Sequence, residues 1–156
     1  MPDRDEQMKL FCEAMLKEGI AANVDPDGNI LIELDSYKGP VIGKASVAGS
    51  GKAWKMDFML GDVTCRKAKN SLRWYVDHLN RSNRDCYLKI RRRTIDIEVI
   101  LLKSEVRKGG FGKAFDRLLN FINSESPLLE KLGNGTVPET VMELQKKEIE
   151  LIMSEW

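Results

Sequence analysis

The stretch Ala53-Trp54-Lys55-Met56-Asp57-Phe58-Met59-Leu60 decides the fold class. On an extended chain Trp54, Met56, Phe58 and Leu60 face one way, and Ala53, Lys55 and Asp57 face the other. Successive side chains of a strand point to opposite faces, so this alternation describes a strand with one apolar and one wet side. A strand of a buried parallel sheet would be apolar on both sides; the pattern therefore predicts an antiparallel sheet covered on one face.

Working outward, the same period recurs. Upstream, Gly49-Ser50-Gly51-Lys52 reads as a hairpin turn leading back to a strand from about Val41 to Val47, which Gly39-Pro40 separates from the segment before it. There Asp25-Pro26-Asp27-Gly28-Asn29 is a turn signal, after which Ile30, Ile32 and Leu34 alternate with Leu31, Glu33 and Asp35. Downstream, Cys86, Leu88 and Ile90 alternate with Tyr87, Lys89 and Arg91; past Arg92-Arg93, Ile95, Ile97, Val99 and Leu101 alternate with Asp96, Glu98, Ile100 and Leu102. That makes five strands.

Helical spacing fills the gaps. Met8, Phe11, Cys12, Met15 and Leu16 share one face of a helix from about Asp3 to Lys17, with Asp3, Asp5 and Glu6 in its first turn and Gly19 beyond its end. A second helix from about Thr64 to Asn80 presents Ala68, Leu72, Tyr75, Val76 and Leu79. A third follows Gly109-Gly110 with Phe111, Ala114, Phe115, Leu118, Leu119 and Ile122 inward, and Ser126-Pro127 starts a separate short turn ending near Leu132. Gly133-Asn134-Gly135 reads as a flexible joint before a last helix from Pro138 to Trp156. The order α-β-β-β-α-β-β-α plus a C-terminal helix gives an α+β fold, a five-stranded antiparallel sheet with helices packed on one face. Residues 1–132 form a single domain, and 133–156 a helical extension packed on that domain or on a second subunit.

Composition bounds the function. The chain has 156 residues, 42% hydrophobic and 31% charged, with a net charge of +1, which suits one folded domain and excludes a disordered chain. No apolar run approaches the roughly 20 residues that span a bilayer, and the acidic N-terminus has no apolar core of a secretory signal, so a cytoplasmic protein is expected. Cys12, Cys65 and Cys86 form no CxxC pair and His78 is the only histidine, so no zinc site of usual spacing can be assembled, and neither metal nor cofactor is expected. The cysteines read as small buried apolar residues.

Motifs that carry catalysis fail one by one. Gly49-Ser50-Gly51-Lys52 resembles a phosphate loop, but Ser46 stands where the first glycine belongs and Ala53 where a hydroxyl should hold magnesium. Gly109-Gly110-Phe111-Gly112 lacks the spacing of a dinucleotide fingerprint. No nucleophile motif accompanies His78, which reads as a surface or capping residue. Asp96 and Glu98 share a strand face, yet Lys89 and Arg91 on the adjacent strand explain them as ion pairs. A non-enzymatic protein is expected.

Charge and misplaced apolar residues point elsewhere. Between Thr64 and Arg93 ten basic residues face only Asp77 and Asp85, a local charge of +8 against −7 for the remainder. Arg66, Lys69, Arg73, Arg91, Arg92 and Arg93 would form a surface for nucleic acid or an acidic partner, or a solvated face that pairs with acidic helices of its own chain or a second copy. Ile100 and Leu102 fall on the wet side of the last strand, and Met142, Ile149, Met153 and Trp156 sit on an over-apolar last helix. Such residues mark a covered surface: either the helix covers the strand, or a second chain covers both.

The order of elements resembles the type III secretion chaperone fold and the bacterial sensory-transduction-regulator-like (YbjN-like) family. The matching residues are Asp27-Gly28-Asn29-Ile30-Leu31-Ile32-Glu33-Leu34, the helix-to-strand passage Leu79-Asn80-Arg81-Ser82-Asn83, and a closing helix within Phe111 to Leu132, so the likeness runs from Asp3 to about Leu132. It implies a homodimeric, non-enzymatic protein that holds a partner protein segment on apolar patches or by adding a strand to a sheet edge. Such chaperones are typically acidic, unlike Thr64 to Arg93, and the Pro138 to Trp156 helix lies beyond the shared fold. The expected contact surface is Ile100, Leu102, Met142, Ile149, Met153 and Trp156, with nucleic-acid binding by the basic residues as the rival.

Overall fold

The computed structural model describes residues 4–48, 51–83, 86–108 and 112–155. Asp3, Gly49, Ser50, Arg84, Asp85, Gly109, Gly110, Phe111 and Trp156, all used in the sequence reading, lie outside the described residues. Helix α1 (Arg4–Lys17) precedes strands β1 (Ala21–Val24), β2 (Ile30–Ser36), β3 (Gly39–Ala48) and β4 (Ala53–Asp62). A 3-10 turn (Arg66–Ala68) then leads into α2 (Lys69–Ser82), β5 (Tyr87–Ile90), β6 (Thr94–Leu102), α3 (Lys103–Lys108), α4 (Gly112–Gly133) and α5 (Glu139–Ser154).

The sheet is antiparallel throughout, as the alternation requires, but it has six strands, not five, in the order β1-β2-β3-β4-β6-β5. The unpredicted strand is β1. Only Ala22 of its four residues is buried, so it shows no alternation; pairing with β2, from Ala21 opposite Glu33 to Val24 opposite Ile30, makes it a strand. Helix α3 also went unread: it is short and polar, and Val106 is its residue packed against the core.

The core is one layer between the sheet and its helices. Met8, Phe11 and Met15 of α1, Leu72, Tyr75, Val76 and Leu79 of α2, and Phe115, Leu118 and Ile122 of α4 meet Trp54, Met56 and Phe58 of β4 and the inward set Ile95, Ile97, Val99 and Leu101 of β6. Phe11 packs on Trp54 with ring centroids 4.5 Å apart. Leu16, assigned by spacing to the same face of α1, is exposed, because it follows Met15 by one residue, more than a quarter turn off the buried stripe of Met8, Phe11 and Met15. Gly43 of β3 is required by this packing: a Cβ there would lie 2.4 Å from the Phe58 ring, which crosses over it.

Two further readings are corrected. No break occurs at Ser126-Pro127; α4 runs through Pro127 to Gly133. An interior proline costs a helix about 3 kcal/mol, but Ile122, Ser126, Leu129 and Leu132 carry one buried face past it, and that burial holds the helix together. Nor is Gly133 a loose joint. It is buried, its carbonyl accepts hydrogen bonds from Thr64 N (2.8 Å) and Cys65 N (3.2 Å), and a Cβ there would sit 2.4 Å from the Asp62 carbonyl oxygen. The joint is a dock between α4 and the end of β4.

Candidate functional site

Helix α5 is capped by Pro138, and its first two turns are anchored by Val141, fully buried, and Leu144, packed against the core. Beyond them the contacts to the domain are polar. Gln145 Nε2 donates to Ser71 Oγ (3.4 Å), Trp74 Nε1 donates to Glu148 Oε2, and Arg81 pairs with Glu148 at 3.4 Å. The side toward α2 thus carries Val141, Leu144, Gln145 and Glu148, and the opposite side the exposed Glu143, Lys146, Lys147 and Glu150. Met142, Ile149, Leu151, Ile152 and Met153 are each 51–70% exposed. Met142, Ile149 and Met153 follow one another along the flank of the helix, and Ile152 continues the row of Val141, Gln145 and Glu148 past the last of these contacts to the domain.

Ile100 and Leu102 occupy a different place. Both are exposed on the sheet face that no helix covers, Ile100 opposite Lys55 and Leu102 opposite Ala53. Because α5 lies along α2, it does not cover them. The six residues expected to form one surface thus form two: Ile100 and Leu102 on the open sheet, and Met142, Ile149 and Met153 on the helical side; Trp156 lies outside the described residues. Exposed Ile42, Met59 and Tyr87 add to the open sheet face. Their parity in the alternating pattern was the available signal, and the sequence reading passed over it.

That face is otherwise held by charge. Glu98 pairs with Lys89 and, at 3.8 Å, with Lys55; Asp96 pairs with Arg91. The two carboxylates are taken by cross-strand cations, as the spacing suggested. The hydrogen bond to Glu98 raises the Lys89 ammonium pKa above its usual value. Asp57, directly opposite Glu98, keeps one buried oxygen without a hydrogen bond among the described residues.

The basic residues do converge. Arg66, Lys69 and Arg73 descend one side of the 3-10 turn and α2, while Arg91 and Arg92 face them from the β5–β6 turn, across a cleft of about 200 Å³ floored by Val63, Leu72 and Ile90. Arg93 does not line it; its carbonyl accepts from Val63 N at 2.8 Å. Arg91 is engaged with Asp96, but Arg66, Lys69, Arg73 and Arg92 have no ion-pair partner among the described residues. A wider trough of about 600 Å³ continues from the cleft between α2 and β5, sharing Arg73, Ile90 and Arg91. Along it the free edge of β5 is closed at Leu88. The Asn80 amide accepts from Leu88 N (2.7 Å) and donates to Leu88 O (2.9 Å), taking both positions a further strand would use.

The remaining candidates are structural. His78 is half-buried and stacks on Trp74, centroids 5.2 Å apart, so it is neither a cap nor freely exposed. All three cysteines are unbridged and half-buried, less covered than expected, and burial raises the Cys12 thiol pKa. Gly51 sits in the turn between β3 and β4 with φ of 84°, the place of a hairpin residue. Among the described residues no group of three His, Cys, Asp or Glu is arranged to hold a metal, and no helix is long and apolar enough to cross a membrane.

No family model matches the sequence, and no curated protein matches it either. A chain from the crystal structure of the ExsC–ExsE complex is similar in structure, with a TM-score of 0.57 over 83% of this chain and 98% of that one. The two are 14% identical, and the likeness is one of fold.

Proposed function

We propose that this chain is a non-enzymatic protein-interaction module that holds a segment of a partner protein and works as a homodimer, in the manner of a secretion chaperone or a regulator of similar fold. The observation that carries this reading is the exposed apolar stripe of α5, Met142, Ile149 and Met153 along its flank with Ile152 beyond, on a helix tied to its own domain by Val141, Leu144, Gln145 and Glu148. Leaving that much apolar side chain in water is unfavourable by roughly 25 cal/mol per Å², and a second copy of the same stripe removes it on both chains at once. The open sheet face, with Ile100 and Leu102 at one end and Ile42 and Met59 at the other, is then left for the partner segment. The fold shared with a chain crystallised in a two-protein complex is in keeping with this role.

Light scattering on the purified chain tests the assembly. The wild type is expected at twice the monomer mass, and the double variant Ile149→Lys, Met153→Lys at the monomer mass with an unchanged circular dichroism spectrum. A monomeric wild type, or a double variant that stays dimeric, would sink the α5 assignment. For the partner surface, Ile100→Lys should abolish co-purification of the partner without altering the mass; a variant that retains the partner removes the open sheet as its site.

A further inference from the structure

The basic cleft is not used by either surface just described. Arg66, Lys69 and Arg73 stand at i, i+3 and i+7, so each meets a like charge on the next turn, an arrangement that destabilises a helix on its own. Arg92 is brought against them by the fold, and no acid among the described residues pairs with any of the four. Asp96 is taken by Arg91, and Asp77 lines the trough without pairing. The cleft is a concentration of uncompensated positive charge around a small volume with an apolar floor.

Resting on the partner-binding reading, we infer that this cleft receives the acidic side chains of an extended partner segment whose apolar residues lie in the adjoining trough. The cleft and the trough run together along α2 from Lys69 to Asn80, about 16 Å at 1.5 Å per residue, the reach of about five extended residues. Val76 and Leu88 continue the apolar floor of Leu72 and Ile90. Asn80 already satisfies the Leu88 backbone, so the segment is recognised by side-chain charge and burial, and not by strand addition at that position. Nucleic acid fits the same charge less well. Single strands are held by aromatic platforms, and here Trp74 stacks on His78 and donates to Glu148 on the α5 side, which leaves Tyr87 as the aromatic residue in the trough.

The test is fluorescence anisotropy of the full chain with three labelled probes: a peptide of alternating Glu and Leu, its Gln-for-Glu counterpart, and single-stranded oligothymidine. The acidic peptide should bind at least about tenfold more tightly than the other two, and should weaken by about tenfold or more when salt is raised past the point where the Debye length falls to roughly 5 Å. Arg73→Glu and, on the opposite wall, Arg92→Glu should each cause a comparable loss; two variants on separate elements guard against a folding defect in either, which circular dichroism would show. Equal binding of the Glu and Gln peptides overturns the charge recognition and leaves partner binding standing. Tighter binding of oligothymidine makes the cleft a nucleic-acid site and overturns the proposal. Absence of acidic-peptide binding at low salt overturns it as well. Failure of the partner-binding reading is registered separately, by light scattering on the α5 variants and by co-purification with Ile100→Lys.

Discussion

Helices α4 and α5 are neighbours in sequence and carry similar shares of apolar residues, yet they relate to the molecule in opposite ways. In α4, Phe115, Leu118, Ile122, Leu129 and Leu132 are buried against the sheet, and the helix tolerates Pro127 because that face is continuous. In α5 only Val141 is fully buried; Leu144, Gln145 and Glu148 complete the side turned toward the domain, and Met142, Ile149 and Met153 stay exposed. Apolar content decides that a helix wants cover; how much of its apolar surface meets the domain decides whether the cover comes from its own chain. One helix completes a core, and the other presents a surface.

The difference can be broken by mutation. The largest effect belongs to α4: Ile122→Ala should lower unfolding free energy by about 2–5 kcal/mol in urea titration, the cost of a large-to-small change in a filled core. A loss below that range would mean that α4 is docked more loosely than its burial implies. Next comes the polar anchor of α5. Glu148→Ala leaves the Trp74 indole N–H and Arg81 without their acceptor and should cost about 1–3 kcal/mol. Limited proteolysis should then clip α5 while α1 to α4 survive; uniform digestion would show that α5 is no separate unit.

A smaller effect sharpens the contrast through pH. Tyr75 of α2 donates to Glu125 of α4 at 2.5 Å, and burial together with that bond raises its phenol pKa well above its ordinary value of 10.0. The unfolded phenol ionises first, so stability is full below pH 10 and falls as pH rises beyond it. Lys89, raised by Glu98, acts in the same direction. Melting temperature followed from pH 8 to 11 should drop at the alkaline end, and Tyr75→Phe should flatten that drop. The smallest effect on stability belongs to the exposed stripe. Ile149→Lys should change unfolding free energy by no more than about 0.5 kcal/mol in the monomer; a cost as large as that of Ile122→Ala would erase the distinction between the two helices.

Much of this fold is written in short-range pattern. The alternation from Trp54 to Phe58 and from Ile95 to Leu101 is reproduced in the buried residues of β4 and β6, and the helical spacing of Leu72, Tyr75, Val76 and Leu79 in those of α2. What escaped was decided at long range. Ala21–Val24 has no pattern of its own and is a strand because β2 is beside it. Pro127 is a local stop signal overruled by burial on either side. Ile149 and Met153 were legible as excess apolar residues, but their separation from Ile100 and Leu102 depends on α5 lying along α2. Arg66, Lys69 and Arg73 share a helical spacing that the sequence displays; that Arg92 faces them does not follow from any spacing.

The Asn80–Leu88 pairing has a consequence for what the molecule can become when crowded. A sheet grows into an open-ended fibre only if each copy offers two joinable margins, so that every addition leaves a fresh one for the next. Here the β5 margin is occupied at Leu88 by an amide from the same chain, which makes the β1 margin the better one to join. Joining through β1 exhausts itself after a single pair. Growth of the sheet from edge to edge therefore stops at a pair, whatever the α5 stripe joins.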